Sequence, residues 1–174
     1  MNGTVLWITG LPGSGKSAIA DAFREFHPDF TILRMDELRK IATPAPSYSD
    51  IERALLYRSL LFFAAKISGL GHNVIIDATG NLREWRDLAR RLIPRYIEVY
   101  LRCPTEVCMK REASREDTRG APRNIYRKGE AGWPVPGINA PYEEPLSPEI
   151  IIDTGSTPVK EAVRVINYFL SCQK

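Results

Sequence analysis

The chain has 174 residues, of which 44% are hydrophobic and 26% charged, and its formal net charge at pH 7 is +3. These proportions are those of ordinary globular proteins, so they argue against a disordered chain or a membrane protein. The length suits one domain, 1–174, that needs no disulfide framework or structural metal. The charge is too mild to require a nucleic-acid partner, although clustered arginines would suit an anionic substrate.

Neither export nor membrane insertion is predicted. The longest apolar stretch, residues 59–66, is far shorter than a bilayer requires, and no basic-then-apolar leader opens the chain. The three cysteines, Cys103, Cys108 and Cys172, fit no common zinc or redox spacing. We therefore expect reduced thiols and a cytoplasmic location.

The first half of the chain alternates strand and helix patterns. Residues 4–9 form a short β-branched apolar run, and the glycine-rich turn after them leads into a helix with an apolar period. Residues 30–33 predict a second strand, which places Asp36 near a strand's carboxyl end. A serine or aspartate at 49–50 can cap a long helix that runs through Ile67. The inward stripe predicted for this helix contains Leu55, Leu56, Ser59, Leu60 and Phe63.

The second half continues the alternation, with one exception. Strands are predicted at 73–77, 96–101 and 149–153, and helices at 82–93, from Pro104 onwards, and at 158–170. Residues 118–148 are rich in proline, glycine and basic residues without a helical or strand period, so we interpret them as a mobile lid. The alternation predicts an α/β three-layer sandwich: a mostly parallel five-stranded sheet with helices on both faces. Ligands then gather at the carboxyl ends of the strands.

A complete phosphate-binding pattern lies between the first strand and the first helix. It reads Gly10, Leu11, Pro12, Gly13, Ser14, Gly15, Lys16 and Ser17. The glycines allow backbone N–H groups to converge on phosphate oxygens, Lys16 can reach the β and γ phosphates, and Ser17 can ligate Mg²⁺. The pattern makes the fold one of the P-loop NTPase type and ATP the expected donor.

The acceptor of the γ-phosphoryl group is a separate question. Asp77-Ala-Thr-Gly80 matches the aspartate-x-x-glycine element of GTPases, but the chain lacks the asparagine-lysine-x-aspartate segment that reads guanine. Asp77 can either hold a magnesium-bound water or cap the turn at 81–86. A short chain with a basic lid favours a kinase of small molecules over a motor or transporter ATPase.

The sequence resembles the adenylyl-sulfate kinase family over nearly its whole length. The resemblance rests on residues 6–17, on 96–100 with 104–108, and above all on 136–145, which reads PGINAPYEEP. It implies MgATP-dependent phosphorylation of the ribose 3'-hydroxyl of adenylyl sulfate to give 3'-phosphoadenylyl sulfate, and it suggests a homodimer.

The resemblance also assigns site residues. Asp36 and Arg39 match the second aspartate and the arginine of the family's leucine-aspartate-glycine-aspartate-asparagine-x-arginine element, and Tyr48 and Arg53 match its phenylalanine-serine-x-x-aspartate-arginine element. Arg111 matches an arginine near the ATP base. The resemblance thus makes Asp36 a second catalytic residue beside Lys16. It also makes Asp36 a magnesium ligand, in addition to Ser17 of the glycine-rich loop and Asp77 at the end of the third strand. The acceptor would be bound by Asp36, Arg39, Tyr48, Arg53, Arg127 and Lys128.

The departures from the family pattern fall mainly on the acceptor side. Arg34 and Met35 replace the first aspartate and the glycine, Leu56 replaces an asparagine, residues 78–83 replace isoleucine-serine-proline-tyrosine-arginine, and Val135 replaces a stacking phenylalanine, with Trp133 nearby. A different nucleotide-like or alcohol acceptor is therefore an alternative, and a nucleotide-binding regulatory module is another.

A basic stretch at 112–123 is longer than the family usually has before its lid. Its arginines are Arg115, Arg119 and Arg123. The stretch is interpreted either as a solvated, charged helical extension at 114–118, the reading we favour, or as a longer lid.

Overall fold

The computed structural model describes residues 2–173, which form five strands and seven helices. The strands are β1 (Val5–Thr9), β2 (Phe30–Arg34), β3 (Asn73–Asp77), β4 (Tyr96–Arg102) and β5 (Ile150–Asp153). The helices are α1 (Lys16–Phe26), α2 (Met35–Ala42), α3 (Asp50–Gly69), α4 (Arg83–Leu92), α5 (Thr105–Ser114), α6 (Ile125–Glu130) and α7 (Val159–Ser171).

The five strands make one parallel sheet in the order β2-β3-β1-β4-β5. Asp77 ends β3 between two neighbours, because it pairs in register with Ile8 of β1 and with Arg34 of β2. Parallel strands bring their carboxyl ends to one edge, so the loops after β1, β2 and β3 meet there. The predicted α/β fold is confirmed.

Each face of the sheet has its own apolar core. Successive side chains of a strand point to opposite faces, so Val5 and Trp7 of β1 join one core while Leu6 and Ile8 join the other. Helices α2, α3 and α4 cover the first face, and α1 and α7 cover the second. The two cores fix β1, and with it the loop that follows, between two packed layers.

The structure differs from the sequence prediction at α2, α3 and α6. Helix α2 begins directly after β2, so Asp36 lies in a first helical turn. Within the lid, 125–130 is helical although no period predicted it. On α3, Leu55 and Phe63 of the predicted inward stripe are exposed, while Tyr57 and Leu61 are buried. Helix α3 is apolar on most sides, so residue spacing alone does not identify the side that packs.

The stretch after α5 also differs from prediction. Helix α5 ends at Ser114, and Arg115 has an extended backbone, so the charged helical extension at 114–118 is not formed. Within residues 2–173, no helix is long and apolar enough to cross a membrane. The three cysteines are unpaired, with Cys103 and Cys108 buried.

Candidate active site

The glycine-rich loop after β1 owes its shape to positive backbone angles and close packing. Gly13 has a φ of 81°, and a Cβ there would overlap the carbonyl oxygen of Cys108 on α5. Gly15 has a φ of 100° and is the N-cap of α1, with no side-chain cap on the helix. The free N–H groups at the start of α1 therefore face the pocket, as an anion site requires.

Lys16 curls back over this loop. Its ammonium donates to the carbonyl oxygens of Gly10 and Leu11, each at 2.9 Å. Burial lowers the pKa of Lys16, whereas the charges of Asp77 and Asp36 act to raise it. A phosphate oxygen is a stronger partner for an ammonium than a neutral carbonyl is, so Lys16 is placed to turn toward a bound nucleotide.

Three oxygen-bearing side chains line the pocket beside Lys16. Ser17 comes from the first turn of α1, Asp36 from the first turn of α2, and Asp77 from the end of β3. Burial raises the pKa of Asp36, and the nearby charge of Asp77 raises it further. A hydroxyl and two mutually repelling carboxylates are the hard oxygen donors that Mg²⁺ prefers, so these residues fit that ion.

The protein alone does not complete a metal cage. Residues 2–173 contain no group of three or more acidic, histidine or cysteine side chains that could hold a metal ion. Mg²⁺ characteristically takes one or two carboxylates together with substrate phosphates and water. Ser17, Asp36 and Asp77 therefore fit a magnesium site that substrate phosphates and water would complete.

The opposite wall of the pocket combines an arginine with two aromatic rings. Arg39 is 8% exposed, forms an ion pair with Glu52, and its guanidinium lies 4.6 Å from the centroid of the Tyr48 ring. The centroids of the Tyr48 and Trp133 rings lie 4.8 Å apart. Burial acts to raise the pKa of Glu52, but hydrogen bonds from Ser47 and the charge of Arg39 lower it overall. Arg39 is thus fixed beside an aromatic surface.

Two further predicted arginines line the same pocket. Arg53 donates from Nη2 to the carbonyl oxygen of Pro134 at 3.3 Å, and Arg111 donates from Nη2 to the carbonyl oxygen of Thr154 at 2.8 Å. Arg53 lies on the side of Tyr48, on α3, and Arg111 on the side of the glycine-rich loop, on α5. The cavity between these walls has a volume of about 340 Å³.

Arg127 and Lys128 lie apart from this pocket, on α6. Arg127 is exposed, and the Lys128 ammonium lies 4.7 Å from the centroid of the Trp133 ring. Helix α6 itself is tied to the loop, because the Tyr126 hydroxyl donates to the carbonyl oxygen of Pro12 at 2.7 Å. Among the described residues, the pocket lining thus lacks Arg127 and Lys128, and their role stays a prediction.

A family model for adenylylsulphate kinase matches residues 2–153. The chain belongs to the adenylylsulphate kinase family. A probable adenylyl-sulfate kinase of Halalkalibacterium halodurans is 35% identical, over 98% of this chain and 84% of that relative. Another, of Archaeoglobus fulgidus, is 33% identical over 86% of this chain and 95% of the relative. The structure of the Mycobacterium tuberculosis APS kinase CysC in complex with AMPPNP and APS has a TM-score of 0.83 and 27% identity, over 98% of each chain.

Membership of the adenylylsulphate kinase family confirms the predicted resemblance and the predicted enzyme class, a P-loop kinase. Of the departures from the family pattern, Met35, Ala78, Thr79, Asn81 and Val135 line the pocket, whereas Arg34 and Leu56 do not. Leu56 is 1% exposed in the core between α3 and the sheet, so it does not line the pocket. Arg34 pairs with Asp21 and Glu37, and its Nε lies 3.4 Å from Asp77 Oδ2. Trp133, two residues before Val135, provides the second aromatic ring.

Sequence reasoning about this adenylylsulphate kinase-family chain missed two groups of pocket residues. Tyr57 lines the pocket and accepts a hydrogen bond from the backbone N–H of Gly80 at 2.8 Å. Its neighbour Leu56 was named from the sequence instead, because the family pattern has an asparagine at that position. Arg115 and Arg119 also line the pocket. The favoured interpretation of their segment was a solvated helical extension, and the alternative was a longer lid. Their clustered charge was the available signal.

Proposed function

We propose that this chain transfers the γ-phosphoryl group of ATP to the ribose 3'-hydroxyl of adenylyl sulfate, giving 3'-phosphoadenylyl sulfate and ADP. One observation carries the proposal: a single pocket has a phosphate loop at one end and an aromatic wall with arginines at the other. The loop suits a nucleoside triphosphate, and the pair of rings, Tyr48 and Trp133, suits a second nucleobase.

Donor binding would use the loop from Gly10 to Ser17. Backbone N–H groups and the Lys16 ammonium would hold the β and γ phosphates, and Arg111 would lie beside the adenine. Ser17, Asp36 and Asp77 would hold Mg²⁺, which when bound neutralises phosphate charge. The family relative solved with AMPPNP and APS supports ATP as the donor.

Acceptor binding would use the opposite wall. Arg39 and Arg53 offer planar, permanently charged donors for the phosphosulfate oxygens, and the Tyr48–Trp133 pair offers a stacking surface for adenine. Glu52 holds the Arg39 guanidinium at this wall through their ion pair. Removing either aromatic ring would therefore weaken acceptor binding more than ATP binding.

Phosphoryl transfer would depend on position and charge. The acceptor oxygen forms a bond to the γ-phosphorus while the bond to the ADP oxygen breaks, and Asp36 accepts the hydroxyl proton. Asp36 would serve as the proton acceptor where Ser17 and Asp77 hold the ion without it, because burial, the largest cause, raises the pKa of Asp36. Arg127 and Lys128 would add charge neutralisation if α6 moves inward as part of a mobile lid.

The test is acceptor-dependent release of ADP from MgATP. We expect adenylyl sulfate to stimulate ADP release, and Lys16→Ala to abolish it. Lys160→Ala, an exposed lysine on α7, is the matched control and should keep normal turnover. If other phosphorylated or hydroxyl metabolites stimulate release and adenylyl sulfate does not, the acceptor assignment is wrong. Tight ATP binding with no stimulation by any acceptor would instead indicate a regulatory module.

A homodimer and a cytoplasmic location complete the proposal. Along α3, Ile51, Leu55 and Phe62 are exposed apolar side chains at helical spacing, which a second copy of the chain would cover. An antiparallel pairing of two α3 helices would set the exposed Asp50 of one near Lys66 of the other. Sedimentation equilibrium tests this, since a monomer at micromolar concentration would contradict it.

A further inference from the structure

The basic segment after α5 crosses the pocket and has no role in the function proposed above. Its pocket-lining residues are Arg115, Asp117, Thr118, Arg119, Ala121 and Pro122. The chain turns back on itself there, because Arg115 donates from Nη2 to the carbonyl oxygen of Pro122 at 2.9 Å. The segment thus lines the same pocket as the glycine-rich loop and Asp36.

Arg115 has hydrogen-bonding capacity that its surroundings do not use. Its Nη2 lies 3.7 Å from Oε1 of Glu112, a carboxylate that is 2% exposed. Within residues 2–173, neither the buried Nε of Arg115 nor that Oε1 makes a hydrogen bond. A buried N–H without an acceptor is costly, so the Arg115–Glu112 pair is incompletely satisfied. The Arg115 side chain also lines the pocket and is 25% exposed, so its accessible part can meet a phosphate oxygen there.

The charge of Arg115 acts on both proposed catalytic groups. Burial is the main cause that lowers the pKa of Lys16, and Arg115 contributes in the same direction. Burial raises the pKa of Asp36, and the charge of Arg115 opposes that rise. Arg115, Lys16 and Asp36 all line the same pocket, and the loop that binds phosphate lines it as well.

An ion pair anchors the segment in this position. Arg119 Nε lies 2.5 Å from Asp21 Oδ2 on α1, and Asp21 also pairs with Arg34. Next to it, Gly120 has a φ of 92° and lies against α2, where an added Cβ would be 3.3 Å from the Lys40 ammonium. The turn is therefore held against α1 and α2 together.

We propose that Arg115 is a second catalytic cation, which contacts the γ-phosphoryl group opposite Lys16, and that the Arg119–Asp21 pair positions it. The inference rests on the proposed kinase function, although not on the identity of the acceptor. Two cations on either side of the group in transfer would stabilise the charge that spreads over its oxygens. Arg119 and Asp21 are positioning residues, since they act through Arg115.

Two measurements on Arg115→Ala test the assignment. Turnover with adenylyl sulfate should fall about 100-fold, the usual cost of losing one charge-stabilising donor. In calorimetry, the preference for AMPPNP over ADP should fall about tenfold, because only AMPPNP has the γ-phosphoryl group. Arg115→Lys should recover part of both. Arg123→Ala is the control, since Arg123 is exposed in the same segment and should stay within twofold of the wild type on either measure.

The positioning role predicts non-additivity. Arg119→Ala should lower kcat about tenfold in the wild-type background and have little further effect in Arg115→Ala, because coupled residues do not add. If Arg115→Ala changes neither turnover nor the nucleotide preference, the assignment is overturned. If the wild type has no activity with adenylyl sulfate but Arg115→Ala still loses the nucleotide preference, Arg115 is supported and the acceptor assignment alone fails.

Discussion

Arg86 on α4 provides a sharp test of what holds the pocket together. It is 1% exposed, and its Nε lies 2.7 Å from Glu98 Oε1 on β4. Its other nitrogens donate to the carbonyl oxygens of Gly80 and Glu143. One guanidinium therefore joins the sheet, the loop after β3 and the segment that follows the lid helix.

Arg86→Met keeps the volume and removes the charge and the donors. Loss of one partner of a buried ion pair costs about 3–5 kcal/mol, because the remaining charge is left uncompensated. Arg90 stays 3.2 Å from Glu98 and compensates in part, so we expect the lower end, about 3 kcal/mol. In a domain of this size that corresponds to a fall in Tm of about 6–12 °C.

The pH dependence has a defined sign. Burial already raises the pKa of Glu98, and the charge of Arg86 opposes that rise. Without Arg86 the pKa rises further above its unfolded value, so the variant gains stability relative to the wild type as Glu98 becomes protonated. The stability deficit of Arg86→Met should therefore be smaller at pH 5 than at pH 8.

Urea unfolding followed by circular dichroism at both pH values measures these effects. Arg91→Met, an exposed arginine on the same helix, should change stability by less than about 0.5 kcal/mol. Adding Glu98→Gln to Arg86→Met should recover part of the loss by removing the unpaired charge. A deficit below about 1 kcal/mol, or one that grows as the pH falls, would refute this account of the buried pair.

Two predictions concern the two ends of the pocket. Gly13→Ala should abolish AMPPNP binding measured by calorimetry, because the new Cβ would overlap the carbonyl oxygen of Cys108 at a backbone angle that favours glycine; binding at wild-type affinity would contradict the loop geometry. Trp133→Ala should raise the KM for adenylyl sulfate about tenfold by removing a stacking surface, while the KM for ATP stays within twofold. Equal increases in both constants would place Trp133 outside the acceptor wall.

The parts of the site that follow local rules could be predicted from the sequence. The glycine pattern between Gly10 and Ser17 is enough to indicate the conformation of the phosphate-binding loop. The apolar runs on either side of the loop indicate that a strand precedes it and a helix follows. Asp77 could also be placed, because a buried run ends at that residue. These features need only neighbours in the chain.

The rest depends on contacts between distant segments. Helix α3 is apolar around most of its circumference, so only its packing against α4 and the sheet shows that Tyr57 points inward and Leu55 outward. Helix α2 follows β2 without a connecting turn, which hid its start at Met35. The segment that contains Arg115 is held by the ion pair between Arg119 and Asp21. Asp21 lies far from this segment in the sequence, so the position of Arg115 could not be predicted from its neighbours in the chain.

The altered positions divide into two groups: Met35, Ala78, Thr79, Asn81 and Val135 line the pocket, whereas Arg34 and Leu56 do not. Leu56 is covered by the core, and Arg34 turns toward Asp21 and Asp77, so neither changes the surface that an acceptor would meet. Val135, which replaces the stacking phenylalanine of the family pattern, has no aromatic ring. Trp133 provides a ring beside Tyr48 instead. In the proposed function, the two aromatic rings next to Arg39 and Arg53 would receive the sulfated adenine nucleotide, and Arg115 and Arg119 would act at the phosphate end. The altered residues in the pocket lining would then adjust how tightly the acceptor fits.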